Sequence, residues 1–213
     1  MNNEGLFVVF EGGDGVGKTT QVERLCHLLT DRSLEVARTF EPGDSPVGGR
    51  IRQLLLDPAT GDLAPRAEAL LYAADKAQHL FEVVRPALAR GAVVVCDRYV
   101  DSMLAYQGAG RVLDVDEVEQ VARWATEDLR PDLTIVLDVA PRDAVWSKVD
   151  KDRLEAADDV FHERVRRSFL ALAERDPSRY LVLDGRQQRD DIAAAVADRV
   201  LQLLSVRSGT LGP

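Results

Sequence analysis

The stretch Leu6–Thr20, LFVVFEGGDGVGKTT, decides the fold. Leu6 to Glu11 is an apolar, β-branched and aromatic run of strand length that ends directly in glycines. Gly12-Gly13-Asp14-Gly15-Val16-Gly17-Lys18-Thr19 then matches G-x-x-x-x-G-K-[ST] in full, and the next segment, from about Lys18 to Asp31, reads as a helix. Strand, glycine turn and helix in that order are the setting a phosphate-binding P-loop requires. The glycines let successive backbone N–H groups converge on phosphate oxygens, and the helix N-terminus adds the positive end of its dipole. Gly12, Gly13, Asp14, Gly15, Val16, Gly17, Lys18, Thr19 and Thr20 are therefore the candidate nucleotide-binding residues. Lys18 is placed to reach the β- and γ-phosphates and the Thr19 hydroxyl to ligate Mg²⁺. A guanine-reading Asn-Lys-x-Asp is lacking. Its nearest echo, Ser147-Lys148-Val149-Asp150, has no asparagine and lies within a helical pattern, so ATP is the expected donor.

Outward from the P-loop, short apolar runs alternate with longer amphipathic segments, the pattern of a parallel sheet covered by helices. Further strands are expected at Glu35–Phe40, Ala92–Cys96, Leu133–Val139 and Tyr180–Leu183. Helices are expected at Ser45–Leu56, Pro65–Arg90 in one or two pieces, Val115–Ala125, Asp158–Glu174 and Asp190–Leu204. Ser205–Pro213 reads as a frayed tail. With no repeat and no linker-like stretch, residues 1–213 read as a single domain of α/β class, the three-layer fold of P-loop NTPases.

Bulk properties narrow the function. The net charge of −9 argues against a nucleic-acid surface but allows a small anionic ligand held by a few local cations. Cys26 and Cys96 sit in apolar runs without metal-ligand spacing and read as reduced, buried thiols. The N-terminus has no basic region, its apolar run is too short for a signal peptide, and no segment reaches membrane-spanning length. A cytoplasmic protein with no membrane partner is expected.

Cys96-Asp97-Arg98-Tyr99 closes the third apolar strand, at the carboxyl end where open α/β sheets bind ligands. Asp97 is a candidate to hold a magnesium-bound water. Arg98 can clamp a phosphate bidentately. A structural salt bridge is the alternative.

At these residues the chain resembles bacterial thymidylate kinases of the P-loop nucleoside-monophosphate kinase family. FEGGDGVGKTTQ, AEALLYAADKAQHL, VRPALARGAVVVCDRYVDSMLAYQGAG, RPDLTIVLDVAP and DRLE…FHERV carry the resemblance from about Leu6 to Leu204. It implies a five-stranded parallel sheet with helices on both faces and a lid at about 142–156. The implied reaction is transfer of the γ-phosphoryl of MgATP to dTMP, in a homodimer. By position, Asp14 meets the acceptor near its sugar and phosphate, and Arg98 and Arg52 bind its phosphate. Tyr72 stacks on thymine, Lys76 takes the place of an arginine on the base edge, Tyr106 presses on the deoxyribose near C2′, and Gln107 faces the base. The alternatives are a core position for Tyr72, a core-packed helix for Tyr106 and Gln107, and a solvated helix position for Arg52.

Departures from the family pattern lie at Asp44-Ser45, Gly49, Lys76, Met103 and above all in the lid, which is short and poor in arginine. An arginine on the transferring phosphoryl group is worth ~10³–10⁵ in rate. Arg153 is the remaining lid arginine, with Lys148 and Lys151 near it, and is the candidate for that role; its alternative is pairing with Glu155 or Asp152. Three readings stay open at this level: a dTMP kinase with an unusual lid, a nucleotide kinase of shifted specificity, and a nucleotide-binding module with little catalysis.

Overall fold

The structure, a computed structural model, describes residues 5–143 and 159–207. Most of the expected lid, including Arg153, Lys148, Lys151 and the Ser147–Asp150 echo, therefore lies outside the described residues, as do residues 208–213.

One sheet holds five strands: β1 (Leu6–Glu11), β2 (Val36–Phe40), β3 (Val93–Asp97), β4 (Leu133–Asp138) and β5 (Tyr180–Asp184). Their spatial order is β2-β3-β1-β4-β5 and every pairing is parallel. Strands buried on both faces need unbroken apolar runs, and LFVVFE and VVVC are such runs. The eight α-helices among the described residues are α1 (Lys18–Asp31), α2 (Pro46–Leu56), α3 (Pro65–His79), α4 (Arg85–Ala89), α5 (Val100–Met103), α6 (Val115–Thr126), α7 (Asp159–Arg175) and α8 (Arg189–Arg207). Alternate β1 residues serve opposite faces. Leu6, Val8 and Phe10 pack with Val22, Leu25 and Leu29 of α1 and with Ile192, Val196 and Val200 of α8. Phe7 and Val9 pack with Leu80, Val84 and Tyr99 on the other face. None of the described helices is long and apolar enough to cross a membrane.

Local chemistry sets the helix ends. The Ser45 hydroxyl accepts from Gly48 N at 2.9 Å, and Pro46 occupies the first turn of α2, where its missing N–H is no loss. Asp114 caps α6 by accepting from the N–H groups of Asp116 and Glu117. The expected Pro65–Arg90 helix is continuous but interrupted by a π-helical turn at Leu80–Val84, just before Pro86, whose ring forbids regular hydrogen bonding to the preceding turn. The chain end also differs from expectation. Helix α8 runs through Ser205, Val206 and Arg207, because the Arg207 guanidinium reaches the Gly5 carbonyl and Asp132.

Strand register positions the site. Phe10 of β1 and Phe40 of β2 both pair with Asp97 of β3, so three strands end at one level. The next residue along each segment, Glu11 (the last of β1), Glu41 and Arg98 respectively, therefore stands beside the other two. Glu11 and Glu41 are 0% and 3% exposed.

Candidate active site

The P-loop wraps the carboxyl end of β1. Gly12 has φ +130° and lies so close to β4 that a Cβ there would sit 2.5 Å from the Leu137 carbonyl oxygen. Gly17, at φ +97°, turns the chain into α1. Both positions need glycine. Lys18 folds back over the loop, its ammonium 3.1 Å from the Gly12 carbonyl and 2.6 Å from that of Gly13. Burial, reinforced by the Arg98 charge, brings Lys18 down to about 8. The Thr19 hydroxyl donates to Asp97 at 3.0 Å, so the two magnesium candidates meet.

Arg98 is the hub of the acceptor side. It adopts φ +72°, a strained conformation for a residue with a side chain. Glu11 holds it there: its carboxylate accepts from the N–H groups of Tyr99 and Ser102 at 2.8 and 3.1 Å and from the Ser102 hydroxyl at 2.6 Å. Burial pushes the Glu11 carboxyl up despite these donors. The Arg98 guanidinium bonds Asp14, the Gly12 carbonyl and the Ser102 hydroxyl, and lies 5.2 Å from the Tyr106 ring centre. The Tyr106 hydroxyl donates to the other Asp14 oxygen at 2.7 Å. Burial alone would raise Asp14, but Arg98 and Lys18 outweigh it and bring the carboxyl down to about 2. An anionic aspartate in the P-loop is thus tied to an arginine and a tyrosine from the β3 end. Arg98 is accordingly a salt-bridged residue, and its partner is itself a candidate site residue.

The remaining candidates divide. Arg52 donates to the Pro42 carbonyl at 2.7 Å and lies over the Phe40 ring. Tyr72 is 8% exposed in an apolar cluster with Ile51, Leu55, Met103 and Tyr106. The Gln107 amide nitrogen donates to Glu68 at 3.0 Å, and Arg111 pairs with the same carboxylate. Lys76 corrects the sequence reading. Its side chain is 2% exposed, its ammonium contacts Glu41 and donates to the Tyr99 carbonyl at 2.8 Å, and it points into the protein rather than to a base edge.

Several site residues were missed in the sequence: Glu11, Glu41, Glu68, His79 and Ser102. An acid that ends a wholly apolar strand, as Glu11 does, was the available signal. Arg166 was missed too. It pairs with Asp138 at the end of β4, through contacts of 2.6 and 2.9 Å, and lines the cleft between α7 and Gly12, Gly13 and Asp14.

A family model described as thymidylate kinase matches residues 10–196. The thymidylate kinase of Cutibacterium acnes is 58% identical over 201 residues, 94% of this chain and 98% of that protein. That of Deinococcus radiodurans is 46% identical, covering 91% of this chain and 95% of its own length. Among solved structures, the thymidylate kinase of Ehrlichia chaffeensis superposes with a TM-score of 0.76 at 30% identity, over 93% of this chain and 99% of that one.

Proposed function

Because the chain belongs to the thymidylate kinase family, we infer that it is a dTMP kinase, transferring the γ-phosphoryl group of ATP to dTMP to give dTDP and ADP. The observation that carries the reading is the Asp14–Arg98–Tyr106 constellation beside Lys18. It supplies a fixed cation for the acceptor phosphate next to the loop that cradles the donor phosphates. No covalent intermediate and no strong base are needed, since a phosphate oxygen is already nucleophilic; alignment and charge neutralisation do the work. In this reading Arg98 and Arg52 hold the acceptor phosphate, Asp14 orients Arg98, and Tyr106 borders the sugar. Gln107, fixed by Glu68, faces the base, and Tyr72 stacks on it. Lys18 draws the transferring group toward the acceptor.

The donor set of Thr19 and Asp97 fits Mg²⁺: the Thr19 hydroxyl would ligate the ion and the Asp97 carboxylate beside it would hold one of its waters, leaving the rest of the shell to phosphate oxygens and water, as that ion prefers. Bound there, it would offset charge on the β- and γ-phosphates. Arg153 remains the lid candidate on sequence grounds, within a single domain over residues 1–213.

A homodimer belongs to the same proposal. Ala67, Leu70, Ala74, Ala77 and Phe81 form an exposed apolar stripe along α3 and the turn after it, with Leu70 59% and Phe81 74% exposed. Small residues between two large ones suit close antiparallel packing of this helix on a second copy. We place the enzyme in the cytoplasm, where ATP and nucleoside monophosphates are at hand.

The test is ADP release measured by a coupled assay with each common nucleoside monophosphate. The highest kcat/KM is expected with dTMP. Preference for another acceptor, or normal ATP binding with no turnover, would overturn the reading in favour of a retuned kinase or a binding module.

A further inference from the structure

The ends of β2 and β3 are joined by a buried charged group with no assigned part in the reaction. Lys76 and His79 lie one turn apart on α3, and both reach Glu41. The Lys76 ammonium contacts one carboxylate oxygen, and His79 Nδ1 lies 2.8 Å from the other. The three side chains are 2%, 0% and 1% exposed. The same ammonium donates to the carbonyl of Tyr99, the residue after Arg98. Asp75 accepts from Gly43 N at 3.0 Å, so neighbouring side chains of one helix grip the Glu41-Pro42-Gly43 turn. Arg52 is tied to that turn through the Pro42 carbonyl.

The Thr39 hydroxyl is 2.5 Å from an Asp44 carboxylate oxygen and 2.5 Å from His79 Nε2, so the His79 ring bridges Thr39 and Glu41. Burial alone would raise Glu41, but Lys76 and His79 bring it below the usual glutamate value. Asp75 and Cys96 also face this carboxylate.

We propose that Lys76 and His79 are positioning residues for the acceptor phosphate. Their joint hold on Glu41 fixes the turn to which Arg52 is tied, through the Pro42 carbonyl, against the loop that carries Arg98, and residue 76 takes no part in reading the base. The proposal rests on the dTMP kinase reading through the roles given there to Arg52 and Arg98.

Steady-state kinetics with dTMP, dCMP and ATP test it. Lys76→Met and His79→Gln are expected to raise the dTMP KM by ~10-fold, with the ATP KM changed less than ~2-fold. The preference for dTMP over dCMP should hold within ~3-fold, because no base contact is lost. Lys76→Arg should recover most of the loss by restoring the charge. A buried carboxylate without its lysine endangers folding, so Glu41→Gln/Lys76→Met, which removes both charges, is the second variant; it should show the same KM split. A dTMP/dCMP preference that collapses in Lys76→Met makes residue 76 a base reader. Both KM values rising together reduces the group to packing. Each outcome overturns the proposal. Wild-type turnover with dTMP is the control: without it the kinase reading falls, and this inference with it.

Discussion

At the scale of single residues the site depends on charges held at fixed separations, and Arg98 shows why a cation alone is not enough. Its guanidinium serves Asp14, the Gly12 carbonyl and Ser102 together, from a backbone conformation that Glu11 secures. An ammonium on a flexible stem cannot serve three acceptors in one plane. Arg98→Lys is therefore expected to lower kcat/KM for dTMP by ~10²-fold, about 3 kcal/mol, with little change in the ATP KM. Steady-state kinetics with each substrate varied in turn check this, and equal losses toward both substrates would count against an acceptor-side role. Lys18→Ala should instead abolish transfer in a protein that still melts cooperatively, since its charge serves the phosphates and its removal uncovers little core. Much at this scale was legible from sequence. The P-loop pattern names its own residues, and Asp97-Arg98 stand at a strand's carboxyl end, where ligands bind. The partners of Arg98 were not legible, because Asp14 lies 84 residues away and the pair exists only through the pairing of β1 with β3. Lys76 was misread for a related reason: its partner Glu41 becomes its neighbour only when β2 and β3 end at one level.

At the scale of elements, the turns after β1, β2 and β3 do the positioning, and the helices they lead into hold them. Helix α2 carries Arg52, and its entry is fixed by the Ser45 cap on Gly48. Close packing supports that cap: a Cβ at Gly48 would lie 2.5 Å from an Asp75 carboxylate oxygen. Ser45→Ala should cost about 1 kcal/mol of stability, the usual worth of a helix cap. It should also raise the dTMP KM more than the ATP KM, because the loosened end is the one that presents Arg52. Urea denaturation and kinetics on the same preparation separate the two effects. A stability loss with unchanged dTMP KM would leave the cap purely structural. Sequence marked these elements to within a few residues, since apolar runs, Ser-Pro and Asp-Val starts are local signals. It offers the helical run Val100–Gly110 only as the alternative for Tyr106 and Gln107, and gives no sign that most of it is π-helical, a shape that answers to contacts rather than to propensity. Gly110, for instance, approaches Phe161 of α7 so closely that a Cβ would lie 2.6 Å from the ring.

At the scale of the whole molecule, the exposed stripe on α3 and the buried acids behind the sheet ends make separate claims. If the stripe meets a second copy, Leu70→Glu/Phe81→Glu should yield a monomer by analytical ultracentrifugation while the chain stays folded. A wild-type monomer would remove the dimer from the functional reading. The buried acids bear on pH. Asp101 accepts from the Tyr180 hydroxyl at 2.7 Å, yet burial, with Glu11 nearby, pushes it up to about 7. Asp75 is pushed up to about 6 by burial and by Glu41. Between an unfolded value near 4 and these folded values, the folded chain keeps protons that the unfolded chain has released. Stability contributed by these two groups therefore falls as pH rises from about 4 to about 7. Asp14, brought down to about 2, acts in the opposite sense: its contribution is present above pH 4 and is lost as pH falls toward 2. Replacing Asp101 isolates the first effect, since an amide oxygen still accepts from Tyr180 and carries no charge at any pH. Asp101→Asn should match the wild type only at or below about pH 4, where the carboxyl is protonated in both folded and unfolded chains, and its advantage should grow from there to about pH 7, reaching on the order of 1 kcal/mol or more by pH 8. Thermal or urea melts at pH 5, 6, 7 and 8 give the difference directly. A gap that does not widen with pH would mean that Asp101 ionises freely in the folded protein, and that the Tyr180 contact offsets its burial.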